Sequence, residues 1–73
     1  MSKRQDRINR RIAIAEIKLI RDQRAQKAAR AKDIDWKLSG QSLHGDARIA
    51  RQIAKNNEAM AALAQTVLDE LEE

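Results

Sequence analysis

The stretch SGQSLHG, residues 39–45, is the one break between two helix-forming segments of this sequence. It holds both glycines of the chain, Gly40 and Gly45, and the chain has no proline. On either side the residues are mainly Ala, Arg, Lys, Gln, Glu, Ile and Leu, which lose little conformational freedom on entering a helix. The sequence therefore predicts two helices and one turn: helix 1 over about residues 2–38, a turn over about residues 39–45 and helix 2 over about residues 46–72.

Helix 2 carries the strongest pattern in the sequence. Its seam positions alternate in spacing between three and four residues and include one amide: Ala50, Ile53, Asn57, Met60, Ala64, Val67 and Leu71. This heptad predicts a dimer seam. We expect Asn57 to fix register and partner number by bonding to its symmetry mate or to a buried water, with a functional contact as the alternative. At the start of the helix, we expect Asp46 to cap the first turn.

Helix 1 has a wider apolar sector than one seam requires. Basic residues gather on its opposite side, where only Ile14 intrudes. The sector consists of two rows, Ile8, Ile12, Ala15 and Leu19 in the first and Ala13, Ile17, Ile20 and Ala31 in the second.

The predicted fold class is all-α, with residues 1–73 as a single helical-hairpin domain of two long antiparallel helices. Two helices cannot cover both apolar sectors, and a chain this small with no Cys rarely builds a sufficient core alone. We therefore expect a homodimer, with two hairpins forming a four-helix bundle or a coiled-coil-like assembly.

Composition excludes several classes of protein. One His and no Cys argue against disulfides and metal sites, no cofactor motif is present, and a cytoplasmic location is expected. No membrane span is expected, because the longest apolar run is the six residues 59–64. No membrane partner is expected either, because the apolar sector of helix 1 lacks the Trp or Phe that usually anchor an interfacial helix and can pack against the heptad of helix 2. Ser42, His44 and Asp46 have the chemical types of a catalytic triad, but a two-helix scaffold has little room for a substrate pocket. We expect no enzymatic activity.

Charge is divided unevenly along the chain. Residues 1–38 hold 12 basic and 5 acidic side chains, whereas residues 39–73 hold 3 and 6. In an antiparallel hairpin we expect the basic start, residues 3–11, to lie beside the acidic end, residues 69–73. The two ends would then partly neutralise each other, which disfavours nucleic-acid binding because that needs an uncancelled positive field.

Trp36 is the only aromatic residue and, with Ile34, Leu38 and Leu43, predicts an apolar cluster at the hairpin tip. Two interpretations are open: a plug that closes the end of the bundle, or an anchor for a binding partner. The expected partner-binding surface combines the tip with the basic face of helix 1, namely Trp36, Leu38, Leu43, Arg4, Arg7, Arg11 and Lys18.

The chain has isoleucines over residues 8–20 that face a heptad over residues 50–71 across the turn. In this arrangement it resembles, in type, the small helical-hairpin dimers encoded by bacteriophages and plasmids. Among these, the phage anti-quorum-sensing proteins dock on a host transcriptional activator and on a pilus-assembly ATPase, and plasmid-copy-number hairpin proteins bind paired RNA. The resemblance implies a role in inhibition or transcription regulation, and it assigns no role to any individual residue.

The leading hypothesis is a non-enzymatic homodimer that binds and inhibits a larger host protein, such as a transcriptional regulator. The alternative is a small nucleic-acid-binding regulator that uses the arginine-rich face of helix 1. A third interpretation, an assembly component, predicts oligomers larger than a closed dimer.

Overall fold

A computed structural model describes residues 3–72 as two helices joined by a short turn. Helix α1 spans Lys3–Gly40 and helix α2 spans His44–Leu71. They pack antiparallel into a rod with extents of 59 × 15 × 14 Å. The predicted all-α class and the helical hairpin are confirmed.

The turn is shorter than the sequence predicted, with only residues 41–43 outside the helices. The amide of Leu43 donates to the carbonyl of Leu38 (2.9 Å), and the amide of Ser42 donates to the carbonyl of Ser39 (3.1 Å). These two bonds form a Schellman motif, which needs a left-handed residue at the position of Ser42. Ser42 has φ 62°, so a serine takes the conformation that glycine usually supplies, while both glycines lie within helices.

Helix α2 begins at His44, two residues before the predicted start at about residue 46. Leu43 occupies the N-cap position and makes no side-chain capping bond, and the amide of Ala47 donates to its carbonyl (2.9 Å). The prediction that Asp46 caps the helix is therefore wrong. Asp46 lies within the first turn of α2, where its carboxylate is favourably placed against the positive end of the helix dipole.

The helices meet through small side chains. The residues of α2 that are buried against α1 are Ala47, Ala50, Ala54, Asn57, Ala64 and Leu68, with Ala61 and Leu71 half-buried in the same row. Their spacing of three and four confirms a heptad period. The row shares only Ala50, Asn57, Ala64 and Leu71 with the predicted dimer seam, so the structure corrects that seam: these four residues face α1 of their own chain.

The remaining members of the predicted seam stay outside this contact. Ile53 and Met60 are 48% and 42% exposed, and Val67 is half-buried. Alanine loses no side-chain entropy on burial and lets two helix backbones approach closely, which explains why the contact uses the small residues of α2 rather than its largest ones.

A matching heptad on α1 faces this row. Its buried and half-buried members are Ile14, Ile17, Arg21, Arg24, Ala28, Ala31, Asp35 and Leu38. Ile14, which the sequence placed as an intrusion on the charged side, belongs to this row. Two arginines fit among apolar residues because their aliphatic stems can pack while the guanidinium groups reach polar partners on α2.

Asn57 is held by partners within its own chain. Its Oδ1 accepts a hydrogen bond from Arg24 Nη1 (3.2 Å), and its Nδ2 donates to the carbonyl of Ile53 (2.9 Å). The expectation that Asn57 bonds to a symmetry mate or a buried water is therefore corrected. The amide instead sets the register between the two helices of one hairpin.

One long side of the rod, which we call the polar flank, joins the helices by charged and amide groups. Its pairs are Lys18 with Glu72 (3.3 Å), Arg21 with Gln65 (2.9 Å), Lys32 with Glu58, and Asp35 with Arg51. Exposed ion pairs of this kind each contribute little, and several together mainly fix orientation.

The pair of Asp35 and Arg51 has the best geometry on the polar flank. The guanidinium donates from Nε to Oδ2 (3.1 Å) and from Nη2 to Oδ1 (3.2 Å), and the hydroxyl of Ser39 also donates to Oδ1 (3.2 Å). The hydrogen bonds from Arg51, followed by its charge and by Ser39, lower the pKa of Asp35.

The conformation of Ser42 predicts a stabilising substitution. Ser42→Gly should raise the free energy of unfolding by about 0.5–1 kcal/mol, because glycine adopts a left-handed conformation without the steric cost of a Cβ. Ser39→Gly should lower the free energy of unfolding, because it places glycine within α1 and removes a hydrogen bond to Asp35. Urea unfolding followed by circular dichroism measures both, and equal effects of the two variants would contradict the assigned turn.

The lowered pKa of Asp35 predicts how stability depends on pH. A carboxylate with a depressed pKa in the folded state stabilises that state above its unfolded pKa, near 3.8, and this contribution is lost as the pH falls through the folded pKa. Asp35→Asn should therefore lower the urea midpoint at pH 7 and reduce its fall on acidification. Asp33→Asn is the control, because Asp33 pairs with Lys37 within α1 and should leave the acid dependence nearer to the wild type.

Candidate interaction surfaces

The side of the rod opposite the polar flank is lined by large apolar residues, and we call it the apolar face. Two adjoining grooves between the helices form it. Ile34, Leu38, Ile49 and Ile53 line the groove near the turn, which has a volume of ≈ 370 Å³, and Ile17, Ile20, Met60, Leu63 and Val67 line the second.

This face is poorly covered within one chain. Ile49 and Leu63 are 62% and 59% exposed, whereas Leu68 is the only large side chain among residues 3–72 that is fully buried. A folded monomer normally buries most of its large aliphatic side chains and exposes them singly rather than in a row. The apolar face therefore has the character of an interface that lacks its second half.

Trp36 lies away from the apolar face and is 78% exposed. Residues two apart on a helix point in nearly opposite directions, so Trp36 cannot share a cluster with both Ile34 and Leu38. It follows Lys32 by four residues and thus lies on the polar flank, next to the pair of Lys32 and Glu58. The predicted tip cluster is not formed, and the interpretation of Trp36 as a plug is wrong for this hairpin.

The first turns of α1 extend beyond α2. Helix α1 has 38 residues and α2 has 28, and their packed rows extend to Ile14 on α1 and to Leu71 on α2. Residues 3–13 of α1 therefore project as a single helix, which we call the overhang. At about 1.5 Å per residue it is roughly 15 Å long.

The overhang corrects the expected neutralisation of the basic start. Its cations are Lys3, Arg4, Arg7, Arg10 and Arg11, and within residues 3–72 none of them forms an ion pair with an acidic side chain of α2. Of the acids expected beside them, Glu72 pairs with Lys18, Asp69 accepts a hydrogen bond from Gln65 (2.8 Å), and Glu73 lies outside the described residues.

The predicted partner-binding residues do not form one surface. Trp36 lies on the polar flank, Leu38 on the apolar face, and Leu43 in the turn with 44% exposure. Arg4, Arg7 and Arg11 lie on the overhang, and Lys18 is paired with Glu72. The structure thus offers three separate surfaces: the apolar face, the Trp36 side of the polar flank, and the overhang.

Sequence reasoning missed two features for which a signal existed. The overhang follows from the ten-residue difference between the predicted helix lengths, which places the end of helix 2 level with about residue 12, so that Lys3, Arg4 and Arg7 lie beyond it. The packed row of α2 follows the seven-residue repeat of Ala47, Ala54, Ala61 and Leu68, which a search for the most hydrophobic positions overlooks.

Neither a membrane span nor a metal-binding cluster is found in the described part of the chain. No helix in residues 3–72 is long and apolar enough to cross a bilayer, and no three His, Cys, Asp or Glu side chains there are grouped to hold a metal ion.

Comparison of the chain with known protein families, with curated proteins and with solved structures found no match.

Proposed function

We propose that the chain is a non-enzymatic interaction module, a homodimeric helical hairpin that binds a larger host protein, such as a transcriptional regulator, and inhibits it. The observation that carries the proposal is the separation of two surfaces. The apolar face suits self-association, and Trp36 lies on the opposite side of the rod, where a dimer would leave it accessible.

The size of the apolar face supports a second copy as its occupant. From Ile17 to Leu38 it runs about 32 Å along α1, so with a rod width of 15 Å it covers on the order of 500 Å² in projection. The largest apolar patch of a typical monomer has a similar area, but here that area lies on a chain of only 73 residues. Both helices contribute to the face, so two hairpins packed through this face form the four helices of a bundle.

The charge of the hairpin body also supports self-association. Residues 14–73, which include the whole apolar face, hold 10 basic and 10 acidic side chains. Two neutral bodies can approach without net repulsion, and the excess positive charge lies outside the face, on the overhang.

A charged residue on the apolar face should prevent the dimer. Ile53→Glu places a carboxylate in the middle of the face and should convert a dimer into a monomer by analytical ultracentrifugation, because an unpaired charge is costly to bury. Leu19→Glu is the matched control. Leu19 is also a large apolar residue, 59% exposed, but it lines neither groove of the face, so this variant should remain dimeric.

Two results would contradict the dimer. A folded wild-type monomer at micromolar concentration is one, and an Ile53→Glu variant that remains as dimeric as Leu19→Glu is the other.

Trp36 is the anchor that we assign to the larger partner. Tryptophan is enriched among the residues that contribute most to binding, and its indole ring is a large apolar surface beside charged groups that can orient a partner. We expect inhibition because the bound dimer would cover a surface that the partner needs for its own activity.

The exposure of Trp36 in the dimer can be tested by fluorescence without knowledge of the partner. It is the only tryptophan, and the chain has no Tyr or Phe, so intrinsic fluorescence reports on this one site. In the wild-type dimer, acrylamide should quench Trp36 nearly as well as it does in the urea-unfolded chain, because the dimer leaves the indole exposed.

The partner assay uses the same residue. Trp36→Ala should leave the dimer intact, as measured by analytical ultracentrifugation. When immobilised, this variant should no longer capture a host protein that binds the immobilised wild type. The same loss of binding should be found with that host protein in purified form. Two results would show that Trp36 is not the partner anchor. One is capture of the host protein by Trp36→Ala at the wild-type strength, and the other is an indole that is shielded from acrylamide in the dimer alone.

A further inference from the structure

We infer that the overhang is a docking surface for duplex DNA, and that its arginines and lysine contact the phosphate backbone. This surface is distinct from the Trp36 side and from the apolar face, so the inference does not depend on the proposed protein partner.

The first argument is where the charge lies. The overhang holds five cations and one acid, Asp6, for a net charge of +4, which equals the net charge of the whole chain. Residues 14–73 are balanced, so the entire excess of positive charge lies on roughly 15 Å of helix at one end of the rod. A concentrated positive field of this kind is the electrostatic footprint of a nucleic-acid-binding surface.

The second argument is how the cations are arranged on the helix. Arg4, Arg7 and Arg11 follow one another at spacings of three and four and thus form one row. Lys3 and Arg10 lie with Arg7 in a neighbouring row, which also contains Asp6, the one acid of the overhang. Four of the five cations are arginines, whose planar guanidinium groups can donate two hydrogen bonds to one phosphate. Two adjacent rows of cations can contact several phosphates together.

The third argument is access. A helix with its side chains is about 10–12 Å across, and the major groove of B-form DNA is about 12 Å wide, so a single helix fits where a helical pair does not. Among the described residues, the overhang is the only part of α1 without α2 beside it. The deep, narrow major groove of duplex RNA does not admit a helix in this way, which favours DNA.

The low apolar content of the overhang disfavours a lipid surface as the occupant. The overhang carries only two large apolar residues, Ile8 and Ile12, and no aromatic residue, and Ile8 lies beside the basic row that contains Arg4 and Arg11. An interfacial helix binds a bilayer through a broad apolar side that commonly includes Trp or Phe, and two isoleucines supply little buried area.

The test is a salt titration of DNA binding by the full chain. A fluorescent duplex of about 20 base pairs and arbitrary sequence is titrated with wild-type protein between about 50 and 200 mM salt, because each phosphate contact contributes about −0.9 to the slope of log K against log salt. The double variant Arg7→Gln/Arg11→Gln should bind more weakly at every salt concentration. Its slope should be shallower by about 1.8 for each overhang in contact with DNA.

The matched control removes the same charge from the hairpin body. Arg48→Gln/Lys55→Gln also lowers the net charge by two, and both residues are exposed and outside the ion pairs of residues 3–72. This control should keep the wild-type slope and an affinity within about twofold of the wild type, because only cations that contact phosphates change the slope. Circular dichroism and ultracentrifugation of both variants verify that folding and assembly are unchanged.

Three results would overturn the inference: no binding of the duplex by the wild type at about 50 mM salt, equal losses in the overhang and body variants, or binding of anionic phosphatidylserine vesicles without binding of DNA. These results are independent of the Trp36 assays, which concern a different surface and a different partner.

Discussion

The close packing of small side chains between the two helices is the constraint on which the rest of this structure depends. Ala28 and Ala31 of α1 are buried in the contact with α2, where Ala47, Ala50 and Ala54 are each 5% exposed or less. Because this contact uses the alanines, several larger aliphatic residues, among them Ile34, Ile49, Ile53 and Leu63, are left on one outer face. The hairpin has little core of its own, and its stability is expected to depend on covering that face.

Polar groups define the register that the alanines alone would leave open. A row of similar small side chains can slide by one heptad with little loss of packing, whereas a hydrogen bond between Arg24 and Asn57 is satisfied in one alignment. The bidentate pair of Asp35 and Arg51 fixes the same alignment near the turn. With the register set, the unequal helix lengths leave residues 3–13 projecting beyond α2, and the net positive charge of the chain is carried by that projection.

The heptad of α2 shows both the reach and the limit of prediction from this sequence. Its period was predicted correctly because a helix repeats every 3.6 residues whatever it packs against. Its phase was half wrong, because Ile53 and Met60 are more hydrophobic than Ala54 and Ala61 and were assigned to the seam in their place. Hydrophobicity identifies the residues that are stabilised by burial. Which of them face the neighbouring helix depends on how closely the two helix backbones can approach, and small side chains allow the closest approach. Ile14 is misplaced for a different reason, because the packed row of α1 also contains Arg21 and Arg24. The Trp36 cluster is not formed because residues two apart on a helix point in nearly opposite directions.

The two-helix hairpin can be predicted from the order of residue types alone, because helix-forming residues occupy everything except one short break. The sequence also determined that no Cys, cofactor motif or long apolar span takes part, since these depend on residue types and on runs along the chain. Three features follow only from the packing of the two helices: which rows of side chains meet, that Ser42 rather than a glycine makes the turn, and that residues 3–13 extend beyond the packed part of α2. These features depend on the rotation and axial offset of one helix against the other, and those are set by packing across the contact rather than by any local run of residues.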